Sequence, residues 1–218
     1  MEAIERYSTS NDLLTLIILL VLILLVLARK LFSHRFEDFI SLVTSGKFLV
    51  IKSKEHKALF GFNVIMLITH ILSISIFLYV LYRQFFGIEN NAGILLLRIT
   101  TAYSFFVLLK ITVEKIIANV FDIDEIIDTY LYQKHTYRNF ISLILFPASI
   151  ILVYAQNPQP WIFYTIGGLY LIIIMFSYSR VIQKNMNIAT RNWFYFILYL
   201  CTLEITPYII LYKLITLT

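Results

Sequence analysis

The chain has 218 residues, of which 60% are apolar and 14% charged, and its formal net charge is +5. Soluble domains carry roughly 25% charged residues and about half apolar ones, so too little polar surface is present to cover a water-exposed globule. That excludes a soluble enzyme, a disordered regulator and a disulfide-stapled secreted domain; the single cysteine, Cys201, also excludes an intrachain disulfide and a multi-cysteine metal site.

Six stretches, about 13–28, 60–82, 93–109, 140–155, 161–179 and 193–212, are continuous enough in apolar residues to act as spans. A hydrocarbon core of about 30 Å takes roughly 17 to 25 helical residues. The first and fourth stretches are short by strict count, so flanking residues such as Leu31 and Phe32 are expected to extend them. Backbone groups in lipid must bond internally, which makes helices the expected form. No strand-like alternation points to a barrel. The expected fold is therefore all-α: one integral-membrane domain over 1–218, a polytopic bundle of six transmembrane helices with amphipathic cytoplasmic helices.

The segment before the first span carries Glu2, Glu5 and Asp12 against Arg6, where a secretory signal would be basic. Arg29 and Lys30 follow the apolar run instead of a small-residue cleavage pattern, so this stretch is expected to stay as a helix. Over 31–43, Phe32, Phe36, Phe39, Ile40 and Val43 recur at helical spacing, with His34, Arg35, Glu37 and Asp38 between them. That pattern predicts an amphipathic helix suited to the headgroup plane, ended by Thr44-Ser45-Gly46.

His70 lies near the centre of the second span, and Arg98 lies about one and a half turns into the third. Beyond the third span, Val113, Ile116, Ile117, Val120, Ile123, Ile127 and Tyr130 keep a helical period. Glu114, Asp122, Asp124, Glu125 and Asp128 fall mainly off that stripe. No Pro or Gly interrupts 94–139. An unbroken helix from Ile94 to Leu131 would run for roughly 57 Å at helical rise, well past the bilayer. Its stripe either packs on 31–43 or the lipid surface, or serves as a docking face; Ile116, Val120, Asp124, Ile127 and Asp128 are the candidate docking residues. Pro147, Pro207 and the Gly167-Gly168 pair are ordinary packing devices of membrane bundles. Trp161 and Trp193 open the fifth and sixth spans, as interfacial anchors would.

Glu204, near the middle of the sixth span, is the remaining intramembrane charge of note. Counted from the outer surface, its depth differs from that of Arg98 by roughly 4–5 Å, which an Arg side chain can bridge. Arg98 and Glu204 are therefore predicted to pair between helices, either to close the bundle or, with His70, to relay protons or ions.

Lys and Arg are unevenly spread: fourteen lie in the connections 29–59, 110–139 and 180–192, and three on the other side. The positive-inside rule places the larger set in the cytoplasm and both termini in the periplasm. Basic connections at membrane ends suit anionic headgroups better than nucleic acid. No GxSxG, HExxH, phosphate-loop, GxGxxG or CxxC motif occurs, so no catalytic residues, metal ligands or cofactor are assigned. Asp124, Asp128 and His135 have a spacing that chance often supplies, and read as a solvated face.

Three stretches, ALFGFN at 58–63, YRNFISLILFP at 137–147 and LEITPYIILYK at 203–213, resemble together an uncharacterised multi-pass inner-membrane family of Bacteroidota, a domain of unknown function. The resemblance runs from the first span to the C-terminus. It implies a location and a span count, but no activity and no ligand positions.

The function expected from all this is a non-enzymatic subunit of an inner-membrane complex. It would present cytoplasmic helices to inner-membrane or cytoplasmic proteins, in envelope biogenesis or protein export. The alternative is a small ion- or proton-coupled transporter built on Arg98, Glu204 and His70. A weaker one is a membrane enzyme acting on lipid.

Overall fold

The computed structural model describes residues 12–41, 56–87, 92–120, 124–155 and 158–189. Six helices appear in chain order: α1 (Asp12–Leu31), α2 (Ser33–Ile40), α3 (His56–Phe86), α4 (Ala92–Val120), α5 (Asp124–Tyr154) and α6 (Pro160–Ala189). There is no strand among the described residues. Five of the helices, all but α2, are long and apolar enough to cross a bilayer. They overlap the first five predicted spans; the sixth, 193–212, lies outside the described residues.

Contacts at the helix ends fix an alternating up-and-down course. At one end the Thr15 hydroxyl of α1 bonds the Tyr154 hydroxyl of α5 at 2.7 Å. Phe85, closing α3, meets Phe163, opening α6, edge to face with ring centroids 6.5 Å apart. At the other end, a Cβ added to Gly61 near the start of α3 would come within 2.9 Å of the tip of the Phe32 ring, so a larger residue there would displace that ring. Arg29, Lys30, Arg35, Lys110, Lys115, Lys134, Arg138 and Arg180 all fall toward this second end.

Helices α3 and α5 form the inside. Within its most apolar window α3 is 61% buried and α5 56%, against 22% for α1, 17% for α4 and 11% for α6. The outer three carry large apolar side chains on their outward faces, with Leu16, Leu97, Phe105 and Ile172 exposed to the surroundings. A helix apolar all round belongs in a core or in lipid, and these are not in the core. Inside, Val21, Ile76, Phe77 and Phe163 join a continuous apolar cluster. The buried face of α3 also carries Thr69, Ser73 and Ser75. Ser73 donates to the carbonyl of Thr69, and Ser75 to that of Ile71, each at 2.8 Å. Such back-bonding satisfies a hydroxyl within its own helix and lets neighbours approach closely. In α6, Gly167 faces the Phe77 ring, whereas Gly168 has open space around it.

Two points left open by the sequence take shape here. The stretch from 94 to 131, which if unbroken would be one long helix, is two helices, α4 ending at Val120 and α5 starting at Asp124. Glu114 and Lys134, about 30 Å apart in a continuous helix, are in contact at 2.7 Å. The second concerns 31–43: α2 ends at Ile40, and Phe39 turns into the bundle. The Phe39 ring packs edge to face on Phe62 of α3 and Phe140 of α5, at 5.8 and 5.7 Å.

Phe39 is 1% exposed and Ile40, its neighbour, 48%. Phe39→Ala is expected to cost about 3–5 kcal/mol through lost packing and a residual cavity. Ile40→Ala should stay within about 0.5 kcal/mol, as exposed sites do. Thermal unfolding of the detergent-solubilised variants measures both; equal losses would show that α2 is not anchored through Phe39.

Candidate functional site

The chemistry of this bundle is concentrated where α3, α4 and α5 meet toward the basic end. Lys110 and Glu114 lie one turn apart on α4, and Lys134 and Arg138 one turn apart on α5, so each pair shares a helix face. Packing α4 on α5 turns these faces together. The Lys134 ammonium donates to Glu114 Oε1 at 2.7 Å, with the two side chains 1% and 0% exposed. Tyr178 of α6 places its ring centroid 5.9 Å from the same ammonium, within cation–π reach.

Around this ion pair lies a set of buried polar groups. Lys110 and Arg35 are buried, as are Gln133, Thr136, Asn139 and Ser142 on α5. Thr136 and Ser142 donate to the backbone carbonyls of Tyr132 and Asn139, each at 2.7 Å. His70 of α3 is fully buried; its Nε2 and the Tyr103 hydroxyl of α4 are 2.9 Å apart. His135 follows Lys134 on α5 and Arg138 stands one turn beyond it, so both lie along the helix that carries the ion pair. These groups are the polar centre of the described bundle.

The centre is incompletely satisfied. Both ring nitrogens of His135, Nε and Nη2 of Arg138, Oδ1 of Asn139, Nδ1 of His70 and Oε2 of Glu114 are buried without a hydrogen-bond partner. Native interiors leave only a few such atoms per hundred residues, and each calls for an explanation. Seven on neighbouring side chains are a concentration, not a background. Among the described residues no three His, Cys, Asp or Glu side chains converge as a metal-binding set. Among the described residues Arg35, Lys110 and Lys134 are buried, and so is one carboxylate, Glu114.

The sequence-predicted residues fall differently. His70 does belong to the centre, but its bond is to Tyr103. Arg98 lies on the exposed side of α4. Glu204 lies outside the described residues, and with it the predicted pair. Ile116 and Val120 are 56% and 71% exposed, while the side chains of Asp124, Ile127 and Asp128 lie outside the described residues. Sequence reasoning counted Lys110, Glu114, Lys134 and Arg138 with a basic connection and passed over them. The available signal was the one-turn spacing of charges on both sides of 121–123, in a stretch otherwise rich in apolar residues.

Truncating one partner of a buried ion pair strands the other charge, whereas replacing both with apolar groups removes the problem. Lys134→Met alone is expected to destabilise the chain by about 3–5 kcal/mol. Combining it with Glu114→Leu should recover most of that loss. A melting series of the two single variants and the double variant is the check, and additive losses would show the two side chains to be uncoupled.

No curated protein and no solved structure is significantly similar to this chain. One family model does match, that of a domain of unknown function, DUF4271, and it covers residues 14–215. The match takes in every described helix and the stretch beyond α6, so the chain belongs to the DUF4271 family.

Proposed function

We propose that the chain is a bacterial inner-membrane protein, of the Bacteroidota type that its sequence resembles, whose working part is a ligand-binding centre formed by α3, α4 and α5. The observation that carries this reading is the group of buried polar atoms without partners on His70, His135, Arg138, Asn139 and Glu114. Leaving buried donors and acceptors unpaired costs about 1–3 kcal/mol each, so a bundle retains them only where something completes them. Water completes such groups in many proteins, but gathered cationic donors in an apolar setting favour a charged or strongly polar ligand. This is a binding role with no bond-making step assigned to it. It takes in His70, which the sequence offered for a relay, whereas Arg98 lies on the exposed side of α4 and Glu204 lies outside the described residues.

Native mass spectrometry of the full chain, extracted in a mild detergent, tests the reading. A small non-covalent adduct on the wild-type chain that is lost in Arg138→Gln supports it. A chain that carries no adduct and that no added solute stabilises overturns it.

A second reading keeps the complex-subunit role, because Ile116 and Val120 on α4 are exposed close to the basic end of the bundle. That reading expects a hetero-complex in the same spectra, disrupted by Ile116→Asp with Val120→Asp.

Both readings put the basic end in the cytoplasm, on the gathering of Lys and Arg there. Ser33 at that end and Gln159 at the other are exposed. In a Cys201→Ser background, Ser33→Cys is expected to be shielded from an impermeant thiol reagent in spheroplasts and Gln159→Cys to react. The opposite pattern reverses the orientation.

A further inference from the structure

The unfilled groups of the centre are of both kinds, donors and acceptors. Nε and Nη2 of Arg138 lie along one edge of the guanidinium, and both are buried without a partner. Guanidinium nitrogens give hydrogen bonds and never accept them. Glu114 is the opposite case. Its Oε1 is held by the Lys134 ammonium at 2.7 Å, while Oε2 is buried without a partner. An ionised carboxylate accepts on both oxygens and donates from neither. The Asn139 amide oxygen is a second unfilled acceptor, next to Arg138 in the chain. His135, three residues before Arg138 on α5, has both ring nitrogens unfilled; in the neutral ring one gives and the other takes.

This mixture selects among ligands. A lone oxyanion fits the Arg138 edge, and a carboxylate can even take a further bond from His135, since each of its oxygens accepts twice. It has nothing to give Glu114 Oε2, toward which it brings a like charge. A lone ammonium fills Glu114 but leaves the Arg138 edge empty and is repelled by it. Water gives and takes, yet a neutral molecule returns less to an ionised donor and an ionised acceptor than charged ends do. A single molecule with an oxyanion at one end and an N–H cation at the other answers both. The spacing suits a short one. Lys134, which carries the Glu114 contact, and Arg138 share a face of α5 one turn apart, with Cβ atoms about 5–6 Å from each other. A carboxylate and an ammonium on one carbon bridge a gap of that order through one hydrogen bond of about 2.9 Å at each end.

Depth narrows the source. Glu114 is six residues from the end of α4, and Arg138 seven from the start of the apolar stretch of α5, roughly 9–10 Å at helical rise. A lipid headgroup belongs nearer the helix ends, so a ligand at this depth is a small solute.

We propose that the centre where α3, α4 and α5 meet binds a free α-amino acid in its zwitterionic form. The proposal rests on the reading of this centre as ligand-binding, and adds the class of ligand and the residues at its two ends. Arg138 takes the carboxylate through two parallel N–H bonds, with His135 as a further donor beside it. Glu114 Oε2 takes the ammonium, with the Asn139 amide oxygen as second acceptor. Lys134 holds the Glu114 carboxylate in place by its other oxygen.

The test uses the full chain in maltoside micelles, with melting temperature and bound mass followed against glycine and the common L-amino acids, added singly. Acetate carries only the oxyanion, methylammonium only the N–H cation, and glycine betaine both charges without an ammonium hydrogen. Stabilisation by one or more amino acids, with the three comparators inert at the same concentration, is the expected result. Arg138→Lys keeps the charge but loses the fork, and is expected to weaken binding by about tenfold or more. Glu114→Leu combined with Lys134→Met removes the acceptor together with its counterion, and should abolish the preference for an amino acid over acetate. Each variant is compared with wild type through its unliganded melting temperature; should neither fold, the wild-type selectivity among the solutes decides.

Amino-acid binding that Arg138→Lys and the double variant both leave unchanged, in folded chains, lies elsewhere on the molecule and overturns the proposal. Acetate, methylammonium or glycine betaine stabilising as well as the best amino acid overturns the ligand class while the binding centre stands. Indifference to every solute overturns the amino-acid proposal. If that chain also carries no adduct in native mass spectra, the binding reading falls with it, because water then completes the cluster.

Discussion

The contact between Glu114 and Lys134 decides the shape of the middle of this protein. Two ions placed in an apolar interior have lost several kcal/mol of hydration apiece, and their mutual attraction offsets that loss only at close range. At 2.7 Å they are as close as a charge-assisted bond allows. The geometry they demand brings the end of α4 beside the start of α5, and the rest follows from that juxtaposition. Lys110 and Arg138, one turn away on each helix, are carried into the same space. So is His135, which a surface placement would have left solvated.

Helix α3 gives the pair something to close against. Its buried face mixes Thr69, His70, Ser73 and Ser75 with large apolar side chains. The hydroxyls bond back onto their own helix and ask nothing of their neighbours. A helix so arranged can be approached from several sides at once, and α3 packs against α1, α4 and α5. The imidazole of His70 is the exception on that face. It has no backbone group within its own turn to satisfy it and reaches across to Tyr103 instead. One polar residue among four thus ties α3 to α4, and the other three keep the interface tight.

How far the sequence foretold this differs from feature to feature. Five long helices were legible because continuous apolar runs leave a local signature that no partner is needed to interpret. The sidedness of Lys and Arg was legible for the same reason. The break between α4 and α5 was not, since residues 121–123 contain neither Pro nor Gly and the apolar period runs straight through them. What ends α4 is a contact twenty residues away in the chain, and periodicity carries no record of such a contact. The same limit hid the centre itself. Lys110, Glu114, Lys134 and Arg138 have the composition of a solvated connection, and only their one-turn spacing hinted that two charged faces could meet. Arg98, a charge inside an apolar run, lies on the exposed side of α4, and the partner predicted for it, Glu204, lies outside the described residues.

The centre also separates two roles that buried charge can play. A network in which every donor and acceptor is matched rigidifies the interior and needs nothing further, and Glu114 Oε1 with Lys134 is matched in that sense. A network left partly unmatched is a liability by itself, because low dielectric magnifies the cost of each orphaned group. Here both occur on the same two helices, separated by a single turn of α5. The matched pair holds α4 against α5 one turn away from Arg138. On the ligand-binding reading proposed above, groups held beside such a pair are pre-organised, and a ligand that fits them meets a site whose ordering cost is already met by folding.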